Sequence, residues 1–332
     1  MNIPKNLYPF LILFLACIAC KEEPKTIYPL DISELTISKI HNGYEQNDFT
    51  SVQLVQAYLN RIRLLDTVIN SITAVNPKAI EIAQALDDEF LETGKLRPLH
   101  GIPILVKDNI NTAGLPTTAG ALALKDFIPQ EDAFIIKKLV GAGAIIIAKT
   151  NMAEWAFSPM HTESSTFGTT RNPYNIAHVP AGSSGGTAAS VASNFGTIGL
   201  GTDTGNSIRG PSSHCALVGF RTTLGLISRS AIVPLYLRND VVGPMGRTVE
   251  DATKLLEVMA GYDPNDSITT YSKGKIPGNY TQYLRKDGLK NARIGVLRTL
   301  SDNDPHPEIK ALFGQALSDL DTLGATVIDP IT

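Results

Sequence analysis

The amino-acid sequence predicts an α/β fold, with a mixed, largely parallel sheet that helices cover on both faces. Two short segments are almost wholly apolar, "IPILV" at residues 102–106 and "AIIIAKT" at residues 144–150. A helical pattern, "DAFIIKKLVGAG" at residues 132–143, lies between them. Strands without alternation of apolar and polar residues are typical of a parallel sheet buried on both sides. The order strand, helix, strand therefore indicates a layered α/β domain.

Three helical patterns precede the first strand, and each has start and stop signals. They cover residues 31–43, 50–66 and 76–95. The candidate boundaries are Ser33 and Gly43 for the first, Thr50 or Ser51 for the start of the second, and Pro77 and Gly94 for the third. The apolar face expected for the second helix is formed by Val52, Val55, Leu59, Ile62 and Leu65.

The alternation of predicted strands and helices resumes near the end of the chain. A capped helix is predicted within residues 248–263, ending near Gly261. A strand at 292–297, a helix at 307–324 and a strand at 325–329 follow it. These patterns extend the α/β prediction to the last residues.

The N-terminus differs from the rest of the chain. Lys5 precedes an apolar run at residues 7–20, which is shorter than the roughly 20 residues of a membrane span and fits the apolar region of a signal peptide. The run ends in a pattern that resembles a bacterial lipobox. We therefore expect residues 1–19 to be a lipoprotein-type signal peptide and Cys20 to carry lipid, with residues 20–30 as a tether. The protein would then be exported and anchored to a membrane of a bacterial envelope; the alternative is a plain secretory signal.

Composition excludes some classes of partner and of scaffold. The 332 residues are 43% hydrophobic, enough for one large domain or two ordinary ones. The formal net charge is −3 and no basic patch dominates, which argues against nucleic acid as a partner. With Cys20 lipidated, Cys215 has no cysteine left to pair with and is expected to be a small core residue.

Two loops rich in Gly, Ser and Thr, at residues 181–190 and 201–210, are candidates for a functional site. A phosphate-binding P-loop requires a lysine that neither loop supplies. Residues 182–186 match the G-x-S-x-G nucleophile elbow with Ser184 at its centre, but no buried strand precedes them. The only later histidines are His214 and His306, and His214, which lies close to the second loop, has no evident carboxylate to orient it.

A third interpretation of the loops needs no histidine. A neutral lysine can activate a serine, and Lys107 ends the apolar strand, where desolvation would lower its pKa. The alternative is a lysine that reaches solvent or pairs with Asp108. The residues alone leave both interpretations open.

Four segments in this order are similar to the motifs of one enzyme family. They are "GIPILVKDN" at 101–109, "AKTNMAEWAFS" at 148–158, "AGSSGGTAAS" at 181–190 and "GTDTGNSIRGPSSHCALVGF" at 201–220. Together they resemble the amidase signature family, and the resemblance extends over residues 31–332. It implies an amidase signature domain that hydrolyses a small-molecule carboxylic amide without metal or cofactor.

The resemblance also implies roles for individual residues. Ser207 falls at the position of the nucleophile, Ser183 at that of the bridging serine after a cis peptide bond, and Lys107 at that of the base. The oxyanion hole would be formed by the main-chain N–H groups of Thr204, Gly205, Asn206 and Ser207. Supporting roles are expected for Ser184, Asp203 and Arg209.

The sequence departs from the family pattern in three respects. Asn206 stands where the family usually has glycine. If the backbone has a positive φ at this position, Asn is among the better-tolerated replacements for glycine. Residues 221–223 read "RTT" in place of "KPT", a change expected to be neutral for catalysis. Family members continue beyond the length of this chain, so we expect a truncated domain.

Two other functions compete with amide hydrolysis. One is a non-catalytic or impaired lipid-anchored protein on an amidase scaffold. The departures at Asn206 and at the C-terminus favour it, whereas the intact set of Lys107, Ser183 and Ser207 argues against it. The other is the amidotransferase A-type component that amidates glutamyl-tRNA, which shares the motifs but works with cytoplasmic partner subunits. The export signal argues against this second alternative.

Overall fold

A six-stranded sheet organises the fold in the computed structural model, which describes residues 30–331. The predicted signal peptide, Cys20 and nearly all of the tether lie outside the described residues. The strands in chain order are β1 (Ile72–Val75), β2 (Pro103–Lys107), β3 (Ile145–Thr150), β4 (Glu163–Ser164), β5 (Gly168–Thr169), β6 (Ile198–Asp203), β7 (Val218–Gly219), β8 (Val241–Gly246), β9 (Arg293–Gly295) and β10 (Thr326–Ile328). Strands β4 and β5 form a separate antiparallel pair, and β9 and β10 form a parallel one.

The sheet is mixed, with parallel strands at its centre. Its order is β1-β3-β2-β6-β8-β7. Strand β2 pairs in parallel with both β3 and β6, whereas β1, β8 and β7 are antiparallel to their neighbours. Every residue of β2, β3, β6 and β8 is buried. Because successive side chains point to opposite faces, both faces of the sheet are covered, and the predicted fold class is confirmed.

Helices form the covering layers. The described part contains α1 (Ile37–Glu45), α2 (Ser51–Ile69), α3 (Ala79–Thr93), α4 (Phe134–Gly141), α5 (Gly185–Ala192), α6 (Arg209–His214), α7 (Val249–Met259), α8 (Arg298–Ser301) and α9 (Pro307–Thr322). Helix α5 packs on β2, β6 and β8, α3 packs on β3, and α7 packs on β8 and β7. Helix α2 lies against α3, and α4 lies against α7.

The N-cap and stop predicted for the first helix are wrong. Helix α1 starts after Thr36, whose hydroxyl accepts a hydrogen bond from the Lys39 N–H at 3.2 Å, and it continues through Gly43. Ser33 instead lies in a turn in which its N–H donates to the Asp31 carboxylate. Ser33 and Thr36 both carry a hydroxyl group that could cap the helix. Thr36, which directly precedes the apolar periodic segment, is the N-cap.

The second and third helices begin and end close to the predicted residues. The Thr50 hydroxyl and the Gln53 side chain form a reciprocal capping box at the start of α2. The buried face of α2 is offset from the predicted one: its members are Ser51, Leu54, Val55, Tyr58, Ile62 and Ile69. Leu65, expected on that face, is 39% exposed. Gly94 ends α3 in the left-handed conformation that favours glycine.

Strand β6 has glycines where it faces α5. A Cβ at Gly199 would lie 2.4 Å from Thr187 Cγ2, and one at Gly201 would lie 2.9 Å from Ser184 Oγ. Both distances are shorter than real side-chain contacts allow. The glycines therefore permit the close approach of helix α5 and its preceding loop to β6, which brings the two Gly/Ser/Thr-rich loops together.

Candidate active site

Lys107 and Ser183 are in direct contact at the carboxyl end of β2. Lys107 is the last residue of this strand, and Ser183 lies in the loop before α5, after a cis Gly182–Ser183 peptide bond. The Lys107 Nζ–Ser183 Oγ distance is 2.7 Å, and both side chains are buried. The cis bond lies at the position that the resemblance implied.

The surroundings of Lys107 favour its neutral form. Its Nζ also lies 2.7 Å from Thr202 Oγ1 and 3.4 Å from Thr202 O. Burial lowers the pKa of Lys107 to about 7, although the charges of Asp203 and Asp240 oppose this change. The alternative interpretation, a lysine that reaches solvent or pairs with Asp108, is wrong.

Ser207 lies in the turn between β6 and α6, beside the Ser183 loop. Its exposed fraction is 5%, and its carbonyl oxygen accepts a hydrogen bond from the Ser184 N–H at 3.2 Å. Within residues 30–331 no hydrogen bond joins the hydroxyls of Ser183 and Ser207. Catalytic hydrogen bonds are often long in unliganded sites and shorten when substrate binds. The structure therefore places the two serines on adjoining loops.

The residues predicted to form an oxyanion hole have free main-chain donors. For Thr204, Gly205, Asn206 and Ser207, no hydrogen bond from the main-chain N–H is found in the part of the chain that the structure describes. Other groups of the same turn are fixed: the Thr204 hydroxyl donates to Asp240 at 2.5 Å, and the Arg209 guanidinium donates to the Gly205 carbonyl. The turn is thus held in place while its N–H groups remain available to an anion.

The side chain of Asp203 holds this turn in place. Its buried carboxylate accepts hydrogen bonds from the N–H of Ile208 at 3.1 Å and from the guanidinium of Arg209 at 3.1 and 3.2 Å. Burial would raise the pKa of the carboxyl, but the hydrogen bonds from Arg209 and Ile208 hold it below its ordinary value. Arg221 also donates to this carboxylate at 2.9 Å. The "RTT" segment, expected to be neutral, therefore contributes a cation to the support of the site.

Ser184 holds the main chain of β6. Its hydroxyl is buried and lies 3.2 Å from Thr202 O and 3.3 Å from Thr202 N. Among the described residues its hydroxyl forms no hydrogen bond with a carboxylate or a histidine, so the nucleophile-elbow interpretation has no support in the structure. His214 instead contacts the Val179 carbonyl, and His306 lies at the start of α9.

Asn206 packs over the start of α6. A Cβ on Gly210 would lie 2.1 Å from Asn206 Nδ2, so the side chain of Asn206 occupies the space that Gly210 leaves free. Asn206 is not among the described residues with positive φ. The positive φ considered for this position is therefore absent, and a main-chain requirement for glycine does not exist here.

A second buried lysine lies on the other face of the sheet. Lys149 is paired in register with Val106, one residue before Lys107, and so it projects from the opposite face. Its Nζ lies 3.4 Å from the Asp108 carboxylate and 2.8 Å from Thr117 Oγ1. Burial lowers the pKa of Lys149 to about 8. No sequence pattern predicts this pair, which fixes the loop that follows Lys107.

Metal-binding clusters and membrane-spanning helices are both absent from residues 30–331. No group of three or more His, Cys, Asp and Glu side chains in this range could hold a metal ion. The helices of the same range include none with the length and apolar character needed to cross a membrane. Cys215 is buried, and burial raises the pKa of its thiol to about 12, as expected for a core residue.

Comparison with known proteins agrees with the motifs. The family model described as Amidase matches residues 53–331. The A subunit of the glutamyl-tRNA(Gln) amidotransferase of Alkaliphilus metalliredigens is 40% identical over 299 residues, which are 90% of this chain and 60% of that protein. The chain thus spans about 60% of the length of the curated relatives that it matches.

Solved structures show the same fold. The native peptide amidase of Stenotrophomonas maltophilia superposes with a TM-score of 0.85 at 38% identity, covering 91% of this chain and 62% of that one. The A subunit of the glutamyl-tRNA(Gln) amidotransferase of Thermotoga maritima superposes with a TM-score of 0.76 at 32% identity, covering 90% and 62%. The motifs, the family match and these superpositions lead to one conclusion: this chain belongs to the amidase signature family.

Proposed function

We propose that this protein hydrolyses the C–N bond of a linear carboxylic amide through an acyl-enzyme on Ser207. The observation that carries the proposal is the 2.7 Å contact between the buried Lys107 Nζ and Ser183 Oγ. A lysine with a pKa near 7 is half neutral at physiological pH, and its lone pair can then accept a proton. Membership in the amidase signature family supports the same chemistry.

The first half-reaction forms the acyl-enzyme. Neutral Lys107 accepts the Ser183 proton while Ser183 accepts the proton of Ser207. The Ser207 Oγ bonds to the amide carbon, and the carbonyl π electrons move to the oxygen. The main-chain N–H groups of the Ser207 turn stabilise this oxyanion, and the loss of one such donor raises a barrier by about 3 kcal/mol.

The second half-reaction returns the enzyme to its starting state. The C–N bond breaks, and the leaving amine takes the proton held on Lys107 through Ser183. Water then attacks the Ser207 ester and transfers its proton along the same two residues. The carboxylic acid leaves as the Ser207 hydroxyl reforms.

Site-specific labelling with a fluorophosphonate tests the proposal. We expect the probe to modify Ser207 and the variant Ser207→Ala to remain unlabelled. Ser212→Ala is a matched control, because Ser212 is a buried serine five positions further on that takes no part in the proposed relay. Labelling that persists in Ser207→Ala would contradict the assignment of the nucleophile. Amide turnover by the wild type and its loss in Ser207→Ala then separate an enzyme from a non-catalytic protein on this scaffold.

A second candidate function follows from the names of the relatives. The curated proteins that match at about 40% identity are A subunits of glutamyl-tRNA(Gln) amidotransferases. We therefore propose amidotransfer as the alternative, in which the same acyl-enzyme chemistry releases ammonia for a partner. Release of free acid from a peptide amide by the isolated chain favours the hydrolase, whereas formation of glutaminyl-tRNA only in the presence of partner subunits favours the alternative.

We also propose that the protein is an exported lipoprotein attached to the envelope membrane through Cys20. The charged Lys5, the apolar run at 7–20 and the position of the cysteine support this proposal. Mass spectrometry of the N-terminal peptide from bacterial membranes tests it. We expect a diacylated Cys20 as the first residue and release of Cys20→Ala into the soluble fraction. A retained segment 1–19 with an unmodified Cys20 would contradict it.

A further inference from the structure

Thr202 contacts the amine of Lys107 with both of its oxygen atoms. The side-chain Oγ1 lies 2.7 Å from Nζ, and the carbonyl oxygen lies 3.4 Å from it. Ser183 Oγ is the third partner of the amine, at 2.7 Å. Among the described residues these three oxygens are the only hydrogen-bond partners of Nζ, and all belong to buried residues.

Three oxygen partners suit the amine of Lys107 in either charge state. A neutral amine has two N–H donors and one lone pair, whereas an ammonium group has three donors and no lone pair. A carbonyl oxygen can only accept, so the Thr202 carbonyl takes an N–H in either state. The proton relay requires the lone pair to face Ser183, and the second N–H must then be directed to Thr202 Oγ1.

Two further contacts fix the oxygens of Thr202. Asn109 Nδ2 donates to Thr202 Oγ1 and to the Val233 carbonyl, both at 3.2 Å. The Ser184 hydroxyl donates to the Thr202 carbonyl at 3.2 Å. The hydroxyl oxygen and the carbonyl oxygen therefore have defined positions before any substrate arrives.

We propose that Thr202 is a positioning residue for the proton relay: its two oxygen atoms accept the two hydrogens of neutral Lys107 and so direct the lone pair toward Ser183. This inference rests on the proposed function, since it gives Lys107 the role of base. Thr202 itself touches neither the nucleophile nor the substrate carbonyl in the proposed reaction. It acts through Lys107.

The inference predicts two separate effects of removing the hydroxyl. Loss of the acceptor frees the amine to rotate, so the rate with fully neutral Lys107 falls. Hydrogen bonds to a charged donor are stronger than those to a neutral one, so the same loss destabilises the ammonium form more and lowers the pKa of Lys107. Asp203 and Asp240, the charged groups that act on Lys107, are unchanged in such a variant.

The test compares Thr202→Val with Thr202→Ser in the full chain. Thr150→Val is the matched control, because Thr150 is a buried threonine paired in register with Lys107, and within residues 30–331 its hydroxyl forms a hydrogen bond with Thr187 alone. The first readout is the rate of fluorophosphonate labelling as a function of pH. The second is the titration of Lys107 by NMR of lysines labelled with 13C at Cε, with the signal assigned by its loss in Lys107→Met.

For Thr202→Val we expect a roughly tenfold to hundredfold lower labelling rate on the alkaline plateau. We also expect the midpoint of the acidic limb and of the NMR titration to move to lower pH by about half a unit or more. Thr202→Ser restores both quantities, and Thr150→Val changes neither. A residue that serves only to keep the fold intact would lower the rate without moving the midpoint.

Three results would overturn the inference. They are a Thr202→Val variant that labels as fast as wild type or faster, an unchanged NMR midpoint for Lys107, and a Thr202→Ser variant as impaired as Thr202→Val. Failure of the proposed function gives a different result, namely labelling that survives Ser207→Ala. The NMR titration reports on Lys107 in either case, because it needs no turnover.

Discussion

Replacement of Lys107 by methionine should stabilise the protein near pH 7 while abolishing its activity. The substitution keeps an unbranched side chain of similar length and removes the amine. Burial lowers the pKa of Lys107 from 10.5 to about 7, which costs about 4 kcal/mol of folding free energy at neutral pH. The lost hydrogen bonds to Ser183 and Thr202 offset part of this gain, at about 1 kcal/mol each. We therefore expect a net stabilisation of roughly 1 to 3 kcal/mol.

The pH dependence of this difference identifies its cause. Between the folded pKa near 7 and the ordinary value of 10.5, the unfolded chain holds a proton on Lys107 that the folded chain lacks. The stability of the wild type therefore rises with pH across this window, and Lys107→Met lacks that contribution. The advantage of the variant should shrink by about 2 kcal/mol between about pH 7 and pH 9.

Urea denaturation followed by circular dichroism, on both proteins at several pH values, measures the difference. Groups other than Lys107 titrate in both proteins and cancel in the comparison. A variant that is less stable than wild type at pH 7, with a difference that does not change with pH, would refute the reasoning. It would mean that Lys107 is charged in the folded protein.

Three further predictions concern the supports of the site. Lys149→Met should lower the unfolding free energy by about 3 to 5 kcal/mol, because it leaves the Asp108 carboxylate buried without its cation. Adding Asp108→Asn should recover most of this stability, as measured by urea denaturation. A double variant as unstable as Lys149→Met would contradict the pairing. Asp203→Asn should slow fluorophosphonate labelling roughly tenfold or more. The control is Asp266→Asn, because Asp266 forms a largely buried ion pair with Arg229 at 2.9 Å, and it should leave the labelling rate unchanged. Equal effects of the two substitutions would contradict a local role for Asp203. Asn206→Gly should change the labelling rate less than roughly threefold. A larger change would mean that the Asn206 side chain contacts the bound probe.

The strands show what sequence patterns can and cannot establish. Strands β2 and β3 are apolar throughout because both faces are buried, so they could be predicted from composition alone. Strand β6, "IGLGTD", contains two glycines that ordinarily weaken a strand, and its local pattern does not predict it. The glycines are there because α5 packs closely on it, a contact between elements that no local pattern reveals.

The residues of the candidate site also differ in how far the sequence could predict their roles. The place of Lys107 at the end of an apolar strand is compatible with a base but also with an ordinary lysine, and only the family resemblance singles out Ser183 and Ser207 within the Gly-rich loops. The role of Thr202 could not be predicted, because it depends on a contact with a residue 95 positions away in the chain. Lys149 reads as an ordinary charged residue at the end of a strand until the register places it beside Asp108.

The pH dependence of Ser207 labelling, with the modified residue mapped by mass spectrometry, tests most directly whether an uncharged Lys107 activates the nucleophile. The account predicts modification of Ser207 alone, at a rate that rises about tenfold per pH unit below the Lys107 pKa of about 7 and levels off above it. Modification of another serine, or a rate that continues to rise toward pH 10 as for an ordinary lysine, would contradict it.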